Sequence, residues 1–222
     1  MAHVLHVITD GKTPLDEVCA HVARFRHGVD CVHLREKHRP AGEQWDWACR
    51  LADALGGPTR LLINDRADVA AALGAFGVHL PARGLPPVAA RRALRPGQVV
   101  GVSVHSAEEA AAAEAQGADY VIFGHVFATG SKPGLPPRGL EALRDVVNRV
   151  TLPVIAIGGI TPENVGAVLE TGCAGVAVMS AVWSADRPAE VVDAFREAMA
   201  AFPVRPRVAW PPRTSNAPQR TP

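Results

Sequence analysis

A histidine, His125, follows an apolar run at the point where a buried strand would end. The run Tyr120–Phe123 has the composition of a buried strand, and one glycine separates it from the imidazole. In a parallel α/β barrel the carboxyl ends of the strands form the active site. An imidazole has a pKa close to neutral, so it can both take and return a proton. His125 is therefore the candidate catalytic residue.

Three polar side chains alternate with apolar ones in the second apolar run. Because successive side chains of a strand point to opposite faces, His33, Arg35 and Lys37 share one face. In a barrel that face points inward, where apolar residues are usual. Two cations above an imidazole are suited to bind an anion. The alternative is a solvated loop in which Arg35 pairs with Glu36 or Asp65.

Glycines and small residues follow the seventh and eighth apolar runs. Gly158 and Gly159 precede the Thr-Pro-Glu sequence 161–163, which is typical of a helix N-terminus. Bare backbone amides bind phosphate, and in barrels the loops after strands seven and eight commonly do so. We expect a phosphate to bind here, with Ser180 contributing from the end of the eighth run. For the glycine pair, a tight turn without a ligand is the alternative.

Polar residues also stand at two other strand ends. Asn64 is followed by Asp65, and this pair could bind Mg²⁺ through oxygen or cap the next helix. Ser103 alternates with valines, so it could bond a ligand or fill a narrow barrel layer. The sequence has no metal-ligand spacing that predicts a metal site. Three further histidines are more typical of packing than of ligand binding: His6, His79 and His105.

Eight short apolar runs alternate with eight segments of helical period. Eight β–α units in about 200 residues match the count and size of a (β/α)8 barrel, whereas an open doubly wound sheet has fewer strands. We predict an α/β protein with a single TIM-barrel domain over residues 1–202. The predicted strands are Val4–Thr9, Cys31–Arg35, Leu61–Asn64, Gly77–Leu80, Val99–Val104, Tyr120–Val126, Val154–Ile157 and Gly175–Met179.

The composition restricts partners and location. The net charge of +1 indicates no general affinity for nucleic acid or for a membrane surface. The four cysteines have no Cys-x-x-Cys spacing and lie in apolar segments, which is typical of free thiols in a reducing compartment. No signal peptide and no apolar run of membrane-spanning length is evident. We therefore expect a cytoplasmic protein without nucleic-acid or membrane partners.

The chain after residue 202 differs in composition from the rest. Residues 203–222 contain six prolines, four arginines and almost no apolar periodicity. This composition predicts a disordered tail. Trp210 within it is either an interaction element or a residue without a role.

The chain resembles the thiamine phosphate synthase superfamily from about Val4 to Ala201. The resemblance implies a TIM barrel that binds phosphorylated substrates. The matching segments are VHLREK at Val32–Lys37, INDR at Ile63–Arg66, GVHL at Gly77–Leu80, GVSVHS at Gly101–Ser106, GADYVIFGHVFATGSK at Gly117–Lys132 and PVIAIGGIT at Pro153–Thr161.

Two enzyme branches belong to this superfamily. The synthases join a pyrimidine pyrophosphate to thiazole phosphate with Mg²⁺, and typically have Gln-Leu-Arg-Glu-Lys on strand two, Gly-Gln-x-Asp after strand four and proline after the strand-six glycine. Here His33 replaces the glutamine, Pro81–Arg83 replace the acidic block and His125 replaces the proline. The TenI-type thiazole tautomerases share GHVF, SVHS and AVMS with this chain. The resemblance therefore favours the tautomerase branch.

As a tautomerase, the protein would aromatise 2-carboxy-4-methylthiazol-5(2H)-ylidene ethyl phosphate without metal or cofactor. His125 would take the ring C2 proton and return it to the exocyclic carbon. Backbone amides would bind the phosphate, and cations would offset the carboxylate. The oligomeric state is left open, a homo-oligomer included. The predicted substrate-binding residues are His33, Arg35, Lys37, Asn64, Ser103, Thr129, Lys132, Gly158, Gly159, Ala177, Met179 and Ser180.

Two other functions are alternatives to the tautomerase. A thiamine phosphate synthase with altered Mg²⁺ binding would consume hydroxymethylpyrimidine pyrophosphate. A non-catalytic regulatory or ligand-sensing protein would use Trp210 and the basic tail as its interaction element.

Overall fold

The computed structural model describes residues 3–212. Its eight parallel strands follow one another round a closed barrel, and the last strand pairs with the first. The predicted (β/α)8 fold is confirmed. The strands are β1 Val4–Ile8, β2 Cys31–Leu34, β3 Leu61–Asn64, β4 Gly77–Leu80, β5 Val99–Val104, β6 Tyr120–Gly124, β7 Val154–Ile157 and β8 Gly175–Val178.

Helices surround the barrel and cover the outer face of the strands. A short 3₁₀ helix, Pro58–Arg60, precedes β3, and a four-residue helix directly after β8 was not predicted from the sequence. The α-helices are α1 Leu15–Phe25, α2 Ala41–Leu55, α3 Ala67–Leu73, α4 Pro87–Arg91, α5 Ala107–Ala115, α6 Gly139–Arg149, α7 Val165–Leu169, α8 Ser180–Trp183 and α9 Pro188–Ala200.

The strands separate an inner apolar layer from an outer one. Along β1, Val4 and Ile8 pack inside the barrel, whereas Leu5 and Val7 pack with the residues of the surrounding helices. His6, which lies between Val4 and Ile8 on the inward face, is fully buried. This alternation follows from the two-residue period of a strand. Along β1, the even-numbered residues therefore face the barrel interior.

Residues 203–212 of the predicted tail contact the floor of the barrel, where the amino ends of the strands lie. The backbone N–H of Arg207 donates to the carbonyl of Gly172 (2.9 Å), and His3 Nε2 donates to the carbonyl of Val204 (2.7 Å). The Trp210 ring packs against Tyr120. These contacts differ from the disorder that the proline content predicts, because a single aromatic side chain fills the barrel floor. Residues 213–222 lie outside the described part of the chain.

The cysteines are consistent with free thiols. All four lie within residues 3–212, and none is paired. Burial raises the pKa of the Cys173 thiol to about 11, so this side chain is protonated at neutral pH. Over the same residues no helix has the length and apolar character needed to cross a membrane.

Gly101 on β5 is predicted to be essential to the inner layer. A methyl group there would overlap ring carbon Cζ of Tyr120. The Tyr120 side chain is fully buried, and its hydroxyl forms a hydrogen bond with His79. We expect Gly101→Ala to lower the free energy of unfolding by about 1–3 kcal/mol, the usual cost of overpacking. Gly42→Ala is the matched control, since open space surrounds that site in α2 and alanine favours helix. Chemical denaturation of both variants tests this, and equal stabilities would contradict it.

Candidate active site

A cavity of about 670 Å³ opens at the carboxyl ends of the strands. Every residue predicted to act in catalysis or substrate binding lines it. Its location is the one at which barrel enzymes bind their substrates. The predicted residues brought together there are His33, Arg35, Lys37, Asn64, Ser103, His125, Thr129, Lys132, Gly158, Gly159, Ala177, Met179 and Ser180.

Three cationic side chains lie on one side of this cavity. Arg35 is partly buried, and this burial lowers its pKa. The charge of Arg35 is the largest cause of a lowered pKa at Lys37, and Lys132 lowers it further. Within residues 3–212 none of the three side chains forms an ion pair. The carboxylate of Asp65 acts on Lys37 in the opposite direction, but less strongly than Arg35 does. Like charges held together without an ion-pair partner form a site for an anion.

A buried carboxylate fixes the backbone that carries these cations. Glu36 accepts a hydrogen bond from Thr9 Oγ1 (3.0 Å) and pairs with Arg39 (3.0 Å). Thr9 Oγ1 in turn accepts the backbone N–H of Arg35 (2.8 Å). The alternative in which Arg35 pairs with Glu36 is therefore wrong, because Arg39 occupies that carboxylate.

The glycine pair after β7 lies against the loop that follows β6. At Gly159 the φ angle is +65°, and an added Cβ would lie 2.8 Å from Cβ of Phe127. The predicted helix start at residues 161–163 is wrong, because α7 begins at Val165. The residues before α7 instead form a turn that the Asn164 side chain stabilises. This side chain accepts a hydrogen bond from the N–H of Thr161 and donates one to the carbonyl of Gly159 (both 2.9 Å). The glycines are thus held at the cavity by a fixed turn.

His125 is buried beneath the loop between β6 and α6. Its Nε2 donates to the carbonyl of Leu135 (3.3 Å), which leaves the lone pair on Nδ1 in the neutral ring. Nδ1 is buried and has no hydrogen-bond partner among the described residues. The base of the loop is closed by the bond from the Arg138 N–H to the His125 carbonyl (3.0 Å). His125 therefore lies between the cavity and the loop that carries Lys132.

Several cavity residues were not predicted to be site residues. His79 and His105 were assigned to packing, and Thr161 was assigned to helix capping, yet all three line the cavity. The signal that identified His125, a polar side chain at a strand end, also applies to both histidines. Ser103 lines the cavity while its Oγ bonds His79 Nε2 (2.8 Å), so its two proposed roles are compatible.

The cavity lacks the ligands of a protein-built metal site. Asn64 lines it, but Asp65 is exposed outside it, and neither side chain caps α3, which has Arg66 at its N-cap. Pro81 and Ala82 line the wall after β4. No aspartate or glutamate within residues 3–212 lines the cavity, and no cluster of three or more His, Cys, Asp or Glu there could hold a metal ion.

A TIM barrel with unpaired cations and a glycine pair lining one cavity is typical of proteins that bind phosphorylated small molecules. A family model described as thiamine monophosphate synthase matches residues 5–182. The chain belongs to this family, and it is an enzyme of thiamine biosynthesis.

Individual relatives agree with the family assignment. The chain is 46% identical over 194 residues to a thiamine-phosphate synthase of Chlorobium luteolum, which covers 84% of this chain and 88% of the relative. It is 45% identical to the thiamine-phosphate synthase of Chlorobium phaeovibrioides over 81% of this chain and 86% of that one. A solved structure of thiamine phosphate pyrophosphorylase from Pyrococcus furiosus superposes with a TM-score of 0.78 at 34% identity, covering 89% and 96% of the two chains.

These relatives correct the predicted activity. The prediction of a thiazole tautomerase, and with it of an isomerase, is wrong, because relatives at this identity are thiamine-phosphate synthases by name. The prediction depended on replacements such as His33 and His125, which change single side chains at the mouth. The barrel and the cations that line its cavity are present beside them. The non-catalytic alternative is likewise not supported, since the relatives are enzymes.

Lys37→Gln is predicted to weaken anion binding without destabilising the protein. Arg35 and Lys132 repel the charge of Lys37 more strongly than Asp65 attracts it, so its removal should not lower the melting temperature of the ligand-free protein. The loss of one charge-assisted contact should weaken binding of inorganic pyrophosphate about 10-fold or more. Calorimetric titration and thermal unfolding measure the two effects. Arg144→Gln, an exposed cation on α6 outside the cavity, is the control, and equal binding by both variants would exclude Lys37 from the anion site.

Proposed function

We propose that this protein is a thiamine-phosphate synthase, a transferase that joins hydroxymethylpyrimidine pyrophosphate to thiazole phosphate. The proposal is based on one observation: a single cavity is lined both by cationic side chains and by glycine backbone, and each can bind an anion. Arg35, Lys37 and Lys132 supply positive charge, whereas Gly158 and Gly159 supply backbone without side chains. A reaction with one pyrophosphate and one phosphate requires both kinds of group. The names of the relatives support the same reaction.

The coupling step is a substitution at carbon. The lone pair of the thiazole nitrogen forms a bond to the pyrimidine methylene carbon, and the bond from that carbon to pyrophosphate oxygen breaks. The bonding electron pair leaves with pyrophosphate, so negative charge grows on the leaving group. Fixed cations close to this charge lower the barrier more than they stabilise the bound substrate. We assign this role to Arg35, Lys37 and Lys132.

The second substrate would bind at the opposite wall. The backbone at Gly158, Gly159, Ala177 and Ser180 lies after β7 and at the end of β8, where barrels commonly bind phosphate. We assign the thiazole phosphate to these residues. The wall between the two anion sites would contact the pyrimidine and thiazole rings. The residues assigned to these contacts are His33, Asn64, Ser103, Thr129 and Met179.

The coupling step gives His125 a different task from the one predicted from the sequence. No proton leaves carbon in this reaction, so the acid–base role is not carried over. We assign to His125 the support of the loop over the cavity, through its bond to the carbonyl of Leu135. That loop carries Lys132, whose backbone N–H donates to the carbonyl of Thr129 (3.1 Å). His125 would thereby keep a cation at the pyrophosphate.

The residues present do not fit the magnesium site that the family resemblance implies. Mg²⁺ in such enzymes needs one or two carboxylates in addition to substrate oxygens. Among the described residues that line this cavity there is no carboxylate, and Pro81 and Ala82 occupy the wall after β4. The three cations are left to offset the charge of pyrophosphate.

The proposal is tested by supplying both substrates to the purified protein, with Mg²⁺ or with EDTA. Wild-type protein should form thiamine phosphate and release one pyrophosphate per product. Arg35→Gln should lower kcat/KM about 10²-fold or more, as expected for loss of a group that stabilises developing charge. Arg144→Gln should retain the wild-type value. Absence of product from the wild-type protein under both conditions would refute the proposal.

A further inference from the structure

Three imidazoles lie inside the barrel, one behind another. His6 on β1, His33 on β2 and His79 on β4 are 0%, 1% and 4% exposed. The ring centroids of His6 and His33 are 5.2 Å apart, and those of His33 and His79 are 5.5 Å apart. Barrel interiors are normally filled with branched apolar side chains. Polar rings in this position need partners, because a buried polar group without a hydrogen bond is costly.

A hydrogen bond joins two of these rings, and the third bonds to side chains beside them. His6 Nδ1 and His33 Nε2 are 3.0 Å apart. His79 bonds the Tyr120 hydroxyl through Nδ1 (3.1 Å) and Ser103 through Nε2 (2.8 Å). His33, His79 and Ser103 all line the cavity. His33 and His79 therefore belong both to the barrel interior and to the site.

The bond between His6 and His33 couples their protonation states. A neutral imidazole has one N–H and one acceptor nitrogen, so one ring must donate and the other accept. If His6 donates, the remaining nitrogen of His33, Nδ1, carries a proton; if His6 accepts, that nitrogen carries a lone pair. Burial lowers the pKa of His6 to about 3 and that of His33 well below its usual value, so both rings are neutral at neutral pH. The tautomer of His33 is thus tied to His6.

The segment after α9 closes the floor beneath His6. The ring centroid of Trp210 lies 4.6 Å from that of His6, with the planes at 76°, and 5.0 Å from that of Tyr120. The ring centroid of Phe76 lies 5.7 Å from that of the indole. His6 Nε2 is buried and has no hydrogen-bond partner within residues 3–212. The indole ring therefore excludes water from a nitrogen that water would otherwise bond.

We infer that Trp210 and His6 are positioning residues that hold His33 in one tautomer and one ring orientation at the cavity. Trp210 packs on His6 and keeps the floor dry. His6 then gives His33 a single hydrogen-bonding partner, so that His33 presents one defined nitrogen to the ligand. The expected effect on substrate binding rests on the proposed function, whereas the expected tautomer of His33 does not depend on it.

Nitrogen NMR of the histidine rings tests the tautomer directly. In the wild-type protein His33 should show one protonated and one unprotonated ring nitrogen. In His6→Leu and in Trp210→Leu the two signals should move toward an average, because the ring exchanges between tautomers. His6→Asn, whose amide occupies the place of Nδ1, and Trp210→Phe should restore the wild-type pattern. An unchanged His33 pattern in Trp210→Leu, which removes no hydrogen bond among the described residues, would overturn the inference.

Steady-state kinetics distinguish a positioning role of Trp210 from a role in the stability of the protein alone. Trp210→Leu should raise KM for hydroxymethylpyrimidine pyrophosphate about 10-fold, as for loss of one hydrogen bond, with kcat within about 2-fold. Phe76→Leu is the control, since Phe76 packs on the indole but makes no ring contact with His6 in the described structure. Equal KM changes in both variants would reduce Trp210 to a packing residue and overturn the inference. If the wild-type protein does not couple the substrates, the proposed function fails, and the NMR result alone decides the role of Trp210 and His6.

Discussion

Closure of eight parallel strands into a barrel is the constraint on which the site depends. Each strand delivers its carboxyl end to the same mouth, and the pairing of β8 with β1 fixes the register round the whole circle. Arg35 and Gly158, far apart in the sequence, line one cavity for this reason alone. No single helix or strand contains the site, so the positions of the side chains at the mouth depend on the order of the whole barrel.

The charge distribution at the mouth opposes folding and favours binding. Arg35, Lys37 and Lys132 repel one another without an ion-pair partner in the described residues. The surrounding framework offsets this cost, since Glu36 is engaged by Thr9 and Arg39 and holds the end of β2 in place. Unfavourable charge kept by a rigid framework is typical of sites that bind an anion, because the ligand relieves the repulsion.

The fold and the convergence of the predicted site residues on one cavity could be predicted from the sequence, because both follow from period-two alternation and the rule that parallel strands end at one mouth. His79, His105 and Thr161 were missed as lining residues. Local hydrogen bonds could not be predicted: the turn at Asn164 moves the start of α7 to Val165. The contacts of Trp210 could not be predicted either, since proline content says nothing about a space at the barrel floor that an indole ring occupies. The branch of the family was misjudged because single side chains such as His125 indicate the type of group present, whereas the reaction depends on the whole anion site.

The contact between Trp210 and His6 joins positions made at opposite stages of protein synthesis. When β1 leaves the ribosome, neither its partner strand β8 nor the indole that covers its inward imidazole exists yet. The barrel can close only after residue 178 has been made, and the indole can cover His6 only after Trp210 has been made. The interior is therefore complete only when the last strand and the indole beyond it have both reached the first strand.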